Sequence, residues 1–142
     1  MRSIKGRAVL VFICILGLSA GCASRGEPNR KKARAKANLG SSLIEQGKTG
    51  AGIKHLLDAA KLDPENADIH HELAVGFRNM GEYDRSLAHF MKTLELRPSF
   101  PEAWNNLGTL YLIQQQWDQA IASFKKALGF VTYKTPQFAY NN

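Results

Sequence analysis

The stretch "FPEAWNNLGTLYLIQQQWDQAIASFKKAL", Phe100 to Leu128, decides the fold because the chain repeats its pattern at a spacing of 34 residues. Leu107 and Gly108 correspond to Leu73 and Ala74, then to Leu39 and Gly40. Tyr111 answers to Phe77 and Leu43, Phe124 to Phe90 and Leu56, and Pro98 to Pro64. Self-similarity at a fixed period marks a supersecondary unit that buries one face only against its neighbour. The phrase "AWNN" returns as "AYNN" at the end of the chain, where Ala103 to Ala139 is 36 residues, two more than the regular interval.

The order of aromatic, Leu-Gly, Tyr, Ala, Phe and Pro at this spacing resembles the tetratricopeptide repeat, a pair of antiparallel helices. Trp104, Leu107, Gly108, Tyr111, Ala120, Phe124 and Ala127 fall on the family positions. The resemblance implies an all-α fold, a tetratricopeptide-repeat α-solenoid with about three helix-turn-helix repeats plus the start of a fourth. The units are expected at 33–66, 67–100 and 101–136, the last with a lengthened joint, and a truncated fourth unit opens at 137–142.

The residue types make physical sense at these places. Small Gly108 lets the second helix of its unit approach closely, with Tyr111 and Phe124 filling the space beside it. Gly47 and Gly81 stand where a first helix ends in a left-handed turn, and Gln115 stands where a third glycine is expected. Asp63-Pro64 and Arg97-Pro98 stop second helices, because the residue before proline is pushed out of the helical region. Ser99 with Glu102 has the form of a capping box, and Thr135-Pro136 that of an N-cap followed by proline. Lys36 replaces the aromatic of the first unit, Thr132 replaces the closing proline of the third, and Gly50 with Gly52 is expected to weaken the start of a helix by about 1 kcal/mol each. An array that ends one turn into a fourth unit leaves its last pair under-covered, so the sequence is expected to be a fragment of a longer reading frame.

The front of the chain has a different character. Residues 1–21 read as a secretory leader: basic Arg2, Lys5 and Arg7, an apolar run from Ala8 to Leu18, then small residues. The run spans eleven residues, too few for the ~20 of a membrane-crossing helix. "LSAGC" then resembles a bacterial lipoprotein box, with Ser19 in place of the usual Leu. The resemblance implies a lipid, palmitate included, on Cys22, which becomes the first mature residue, and Ala23 behind it implies the outer membrane, facing the periplasm. Several acyl chains anchor stably where one does not. With Cys14 lost in the leader, one cysteine remains and no intramolecular disulfide is possible. The competing reading is a signal anchor, favoured by the basic residues just behind the apolar run.

Charge follows the same division. The net +7 comes from the leader and from 22–36, which carries six basic residues against Glu27; the remainder is near −1. The chain therefore lacks the basic face of a nucleic-acid binder. Residues 22–32 read as a basic tether that passes into a helix near Arg30, its charges either resting on anionic headgroups or solvated.

The search for chemistry yields little. "HHE" at His70 to Glu72 lacks zinc-protease spacing, His55 and His89 recur one repeat apart as framework positions, and His70 takes the packing slot of Trp104. No nucleophile has a base at motif spacing and no phosphate loop is present, so neither catalytic residues, metal, cofactor nor small-molecule substrate is expected. What remains is a surface. By resemblance, first helices line the inner curve, and the lining positions are Ile44, His71, Val75, Arg78, Asn79, Asn105, Thr109, Leu112 and Ile113. Apolar residues rimmed by His, Asn and Arg suit an extended or helical partner peptide, unless further chain covers them. Ala37, Ser41, His71 and Val75 do not reproduce the carboxylate clamp known in some tetratricopeptide proteins, and Asn106 has a structural place in the family pattern.

From Cys22 onward the chain resembles the type IV pilus biogenesis and stability lipoproteins, most closely in "KLDPENADIHHELA", "HFMKTLELRPSFPEAWNNLGTLYL" and "YKTPQFAYNN". The resemblance implies a pilotin that brings secretin subunits to the outer membrane and promotes their assembly. The alternative is a periplasmic tetratricopeptide lipoprotein adaptor that docks cell-wall enzymes or other envelope complexes.

Overall fold

A computed structural model describes residues 20–130, with side chains from residue 27 onward. Residues 1–19, the side chain of Cys22, and residues 131–142 with Thr132, Thr135 and Pro136 lie outside the described part, so the expected leader and fourth unit are not described there. Within it there are six helices and no strand: α1 (Ala20–Glu45), α2 (Thr49–Leu62), α3 (Ala67–Asn79), α4 (Tyr83–Leu96), α5 (Pro101–Ile113) and α6 (Trp117–Leu128). They pack as antiparallel pairs, α1 with α2, α3 with α4 and α5 with α6, and each pair stacks on the next. The expected tetratricopeptide solenoid is the architecture of the described chain.

Two rows of small residues, each repeating every 34 positions, set the helix crossing inside every pair. One row is Gly40, Ala74 and Gly108; the other is Gly52, Ser86 and Ala120, and all six are buried. A Cβ on Gly108 would sit 2.5 Å from the Phe124 ring, and one on Gly40 would sit 2.8 Å from Leu56 Cγ. A Cβ on Gly52 would stand 2.5 Å from the Gly40 carbonyl oxygen. The expectation that Gly52 merely weakens α2 is therefore corrected: its missing side chain is what lets α1 and α2 touch. Gly50 has open space around it and retains only the cost of its flexibility. In the second pair, Ser86 Oγ donates to the Ala74 carbonyl at 2.8 Å, which satisfies a hydroxyl in a dry contact.

The turns inside the pairs are alike. Gly47 and Gly81 have φ of 78° and 76°, and Gln115 takes φ 59° at the third. Each turn closes with a bond from the following amide back to the helix, Lys48 to Leu43, Glu82 to Phe77 and Gln116 to Tyr111 at 2.8–2.9 Å. Gln115 thus occupies the left-handed region because the repeat geometry demands it, at a steric cost glycine would avoid. Between pairs, α2 and α4 end at Leu62 and Leu96, with Asp63 and Arg97 at φ −140° before their prolines.

Two further expectations change. The α1 helix begins at Ala20 rather than near Arg30 and runs through Pro28. Ala, Arg and Lys are strong helix formers, and Lys31 pairs with Glu27 one turn earlier at 3.2 Å. At α5 the cap is Phe100 without a side-chain bond, not Ser99: Pro101 supplies a preset φ at the first helical position and moves the boundary past the serine.

Three apolar clusters follow from the stacking. The first joins Leu56, Ile53, Ile69, Leu73 and Phe77; the second joins Ala74, Phe90, Leu94, Leu107 and Leu110; the third centres on Phe124. The first two lie between successive pairs, so no pair completes its core alone. Trp104 and Tyr111 pack against both the second and the third cluster.

Candidate functional site

First helices approach one another, α1 to α3 and α3 to α5, whereas the second helices α2 and α4 make no comparable contact among the described residues. First helices therefore line the tighter, inner side of the stack. The site is built on that face.

At its centre is a polar chain from α3 to α5. Arg78 Nη1 donates to Asn106 Oδ1 at 3.1 Å, and Asn106 Nδ2 lies 3.0 Å from His71 Nε2. Arginine only donates, so the amide oxygen must face Arg78 and the amide nitrogen must donate to His71, whose Nε2 is then an unprotonated acceptor. The ring of His71 lies 4.9 Å from that of Phe100 and 5.9 Å from that of Phe90, between centroids. Burial in this aromatic setting pulls its pKa down to about 4, despite the carboxylates of Asp68 and Glu102. The neutral imidazole holds the Asn106 amide in one orientation.

The remaining lining positions divide by environment. Ile44 is partly buried and fills the junction of three helices, with side-chain atoms 2.6 Å and 3.2 Å from where Gly52 and Gly76 would carry a Cβ. Val75 and Leu112 are partly buried against the second and third clusters. A repeat face must pack its own neighbours before it can offer apolar surface, and these side chains serve that packing. Ile113, 45% exposed, and Asn79 remain open to solvent. Thr109 Oγ1 donates to the Asn105 carbonyl at 3.2 Å, while Asn105 Oδ1 is buried with no partner among the described residues.

Between α1 and α3 the inner side opens into a cleft of about 470 Å³ lined by Arg30, Arg34, Asn38, Ser41, Asp68 and Glu72, among others. Burial raises the pKa of Glu72, and Arg97 holds that of Asp68 down through a two-pronged pair at 2.8 and 2.7 Å. Sequence reasoning missed this cleft and the bridging role of Asn106. The available signal was positional: Arg78 and Asn106 lie 28 residues apart, on the first helices of successive units.

The histidines that invited a metal reading sit on the framework. His70 Nε2 donates to the Pro64 carbonyl at 2.9 Å, as Trp104 Nε1 does to that of Pro98 at 2.8 Å. His70 Nδ1 is left as an acceptor, and His89 Nδ1 donates to it at 3.0 Å. Burial, with His70 and Arg85 nearby, holds the His89 pKa at about 4. Among the described residues no group of three or more His, Cys, Asp or Glu side chains has metal-binding geometry, and no helix is long and apolar enough to cross a membrane.

Comparison with known proteins agrees with this geometry. Family models of the tetratricopeptide repeat match residues 33–66 and 101–129. The type IV pilus assembly protein PilF of Pseudomonas aeruginosa is 28% identical over 96% of this chain, and the chain covers 57% of that relative's length. The crystal structure of MamA is 32% identical with a TM-score of 0.66, over 68% of this chain and 57% of the other. The first tetratricopeptide domain of Spaghetti (RPAP3), solved with an HSP90 peptide, superposes with a TM-score of 0.74 at 18% identity, over 79% of this chain and 87% of that one, a likeness of fold. The chain thus carries tetratricopeptide repeats, a scaffold for protein–protein contact, and is similar to a pilus assembly protein.

Proposed function

We propose that the protein is a lipid-anchored pilotin of the outer membrane, facing the periplasm, which binds a secretin subunit of the type IV pilus and promotes its localisation and multimerisation. The observation that carries this reading is the similarity to the pilus assembly protein over 96% of the chain, beyond the two repeats that any tetratricopeptide protein would match. The lipoprotein-like box at Cys22 supports the anchor. Tethering a partner near a membrane raises its effective concentration, and the inner face of the stack shields a subunit segment until assembly is complete. Recognition by such a surface needs neither catalysis nor a cofactor beyond the covalent lipid.

Deleting the gene in its native host and resolving outer-membrane proteins on a gel tests the role. Loss of heat-resistant secretin multimers and of surface pili is expected. Normal multimers and pili would remove the pilotin reading and leave an adaptor for cell-wall enzymes. The anchor is tested separately: Cys22→Ala should move the protein from the membrane to the soluble fraction, and retention in the membrane would overturn lipidation as the attachment.

A further inference from the structure

Arg78 is a fixed charge without a counter-ion among the described residues. It is half-buried on the inner face, and the bond to Asn106 is the only hydrogen bond its side chain makes among the described residues. None of the described ion pairs includes it. The two other arginines of the second pair are both matched, Arg85 to Glu82 at 2.6 Å and Arg97 to Asp68. A guanidinium presents five N–H donors in a planar fork suited to carboxylate, and partial burial with one neutral bond leaves that capacity unspent. Burial shifts its pKa downward with no carboxylate acting against the shift, which agrees with the missing counter-ion.

The surroundings hold this cation in place. Asn106 takes one N–H of Arg78, His71 fixes the Asn106 amide, and Phe90 with Phe100 flanks His71. A side chain braced on the neighbouring first helix loses little freedom when it binds, which favours recognition over a solvated charge. One turn along α5 from Thr109, Ile113 offers exposed apolar surface on the same series of first helices.

We infer that the inner face takes a carboxylate-bearing segment of a partner protein, its acidic group paired in a fork with Arg78 while Asn106 and His71 act as positioning residues. This rests on the docking reading and gives it a chemistry. The carboxylate is an Asp or Glu side chain within the segment, because the residues that clamp a free C-terminus are missing at Ala37, Ser41, His71 and Val75. One arginine on α3 provides the charge instead.

Three fluorescein-labelled twelve-residue peptides with the same apolar flanks test the inference by fluorescence anisotropy with the full chain in mild detergent. The first carries a central Glu and a C-terminal amide, the second Gln and an amide, the third Gln and a free C-terminal carboxylate. The Glu peptide is expected to bind about tenfold more tightly than the Gln amide, and a preference for the free C-terminus alone would overturn the side-chain acid. Arg78→Gln should erase that gap, and Arg78→Lys should keep part of it. Asn106→Asp gives a second arm: its new carboxylate would pair with Arg78 inside the protein, raising the melting temperature and removing the preference. Equal or absent binding of all three peptides overturns the anchor, as does a gap that survives Arg78→Gln. Since the gene deletion reads secretin assembly directly, the pilotin role can stand when the anchor falls.

Discussion

Glycines that look alike in the sequence do different work. Gly50 and Gly52 are two residues apart on α2, yet one faces open space and the other lies against the backbone of α1. Gly50→Ala should stabilise the protein by about 0.5–1 kcal/mol through lost flexibility of the unfolded chain. Gly52→Ala places a methyl group against a carbonyl oxygen that cannot rotate away, and should cost about 1–3 kcal/mol as α1 and α2 are pushed apart. Denaturant titration of both variants reads the two signs side by side, and equal effects would refute the close crossing. Side-chain class gave no warning of this difference. It follows from which glycine the helix turn directs at its partner, and the counterparts Ser86 and Ala120 reveal that only once the repeats are aligned.

Among the helices, α3 has a start that its neighbours lack. Asn66 accepts from the amides of Asp68 and Ile69 at 3.1 and 3.4 Å, and its own amide donates to Asp63 at 3.0 Å. The caps of α2, α4, α5 and α6 make no such side-chain bond. Asn66→Ala should therefore cost about 1 kcal/mol, measured as a lower denaturation midpoint with an unchanged slope. An unchanged midpoint would mean that packing alone sets the start of α3. The contrast with α5 is instructive. Ser99 before that helix and Glu102 in its first turn have the pattern of a capping box, but Pro101 fixes the backbone first and Phe100 becomes the boundary. Local patterns compete, and the stiffer one decides.

Across the whole molecule the buried histidines make stability depend on pH. His71 and His89 are neutral in the folded chain, with pKa values of about 4, whereas histidine in an unfolded chain titrates near 6.5. Between those values the unfolded state binds more protons, so the contribution is whole above about 6.5 and is lost as pH falls toward 4. Glu72, raised by burial, works in the opposite sense at the acidic end of that window. The denaturation midpoint should be lower at pH 5 than at pH 7, and the double variant His71→Gln, His89→Gln should flatten the difference. A dependence that persists unchanged in the double variant would place its origin elsewhere.

The period of 34, the left-handed turns and the proline stops were legible in the chain itself. Each depends on residues close in sequence, where backbone sterics and hydrophobic period act without knowledge of the rest. The inner-face residues could be nominated by position, but their fates could not. Ile44 went to packing, while Arg78 met Asn106 across 28 residues and Asn106 met His71 across 35. Those pairings arise when separate helices stack, because only then do burial and distance determine which polar groups find partners.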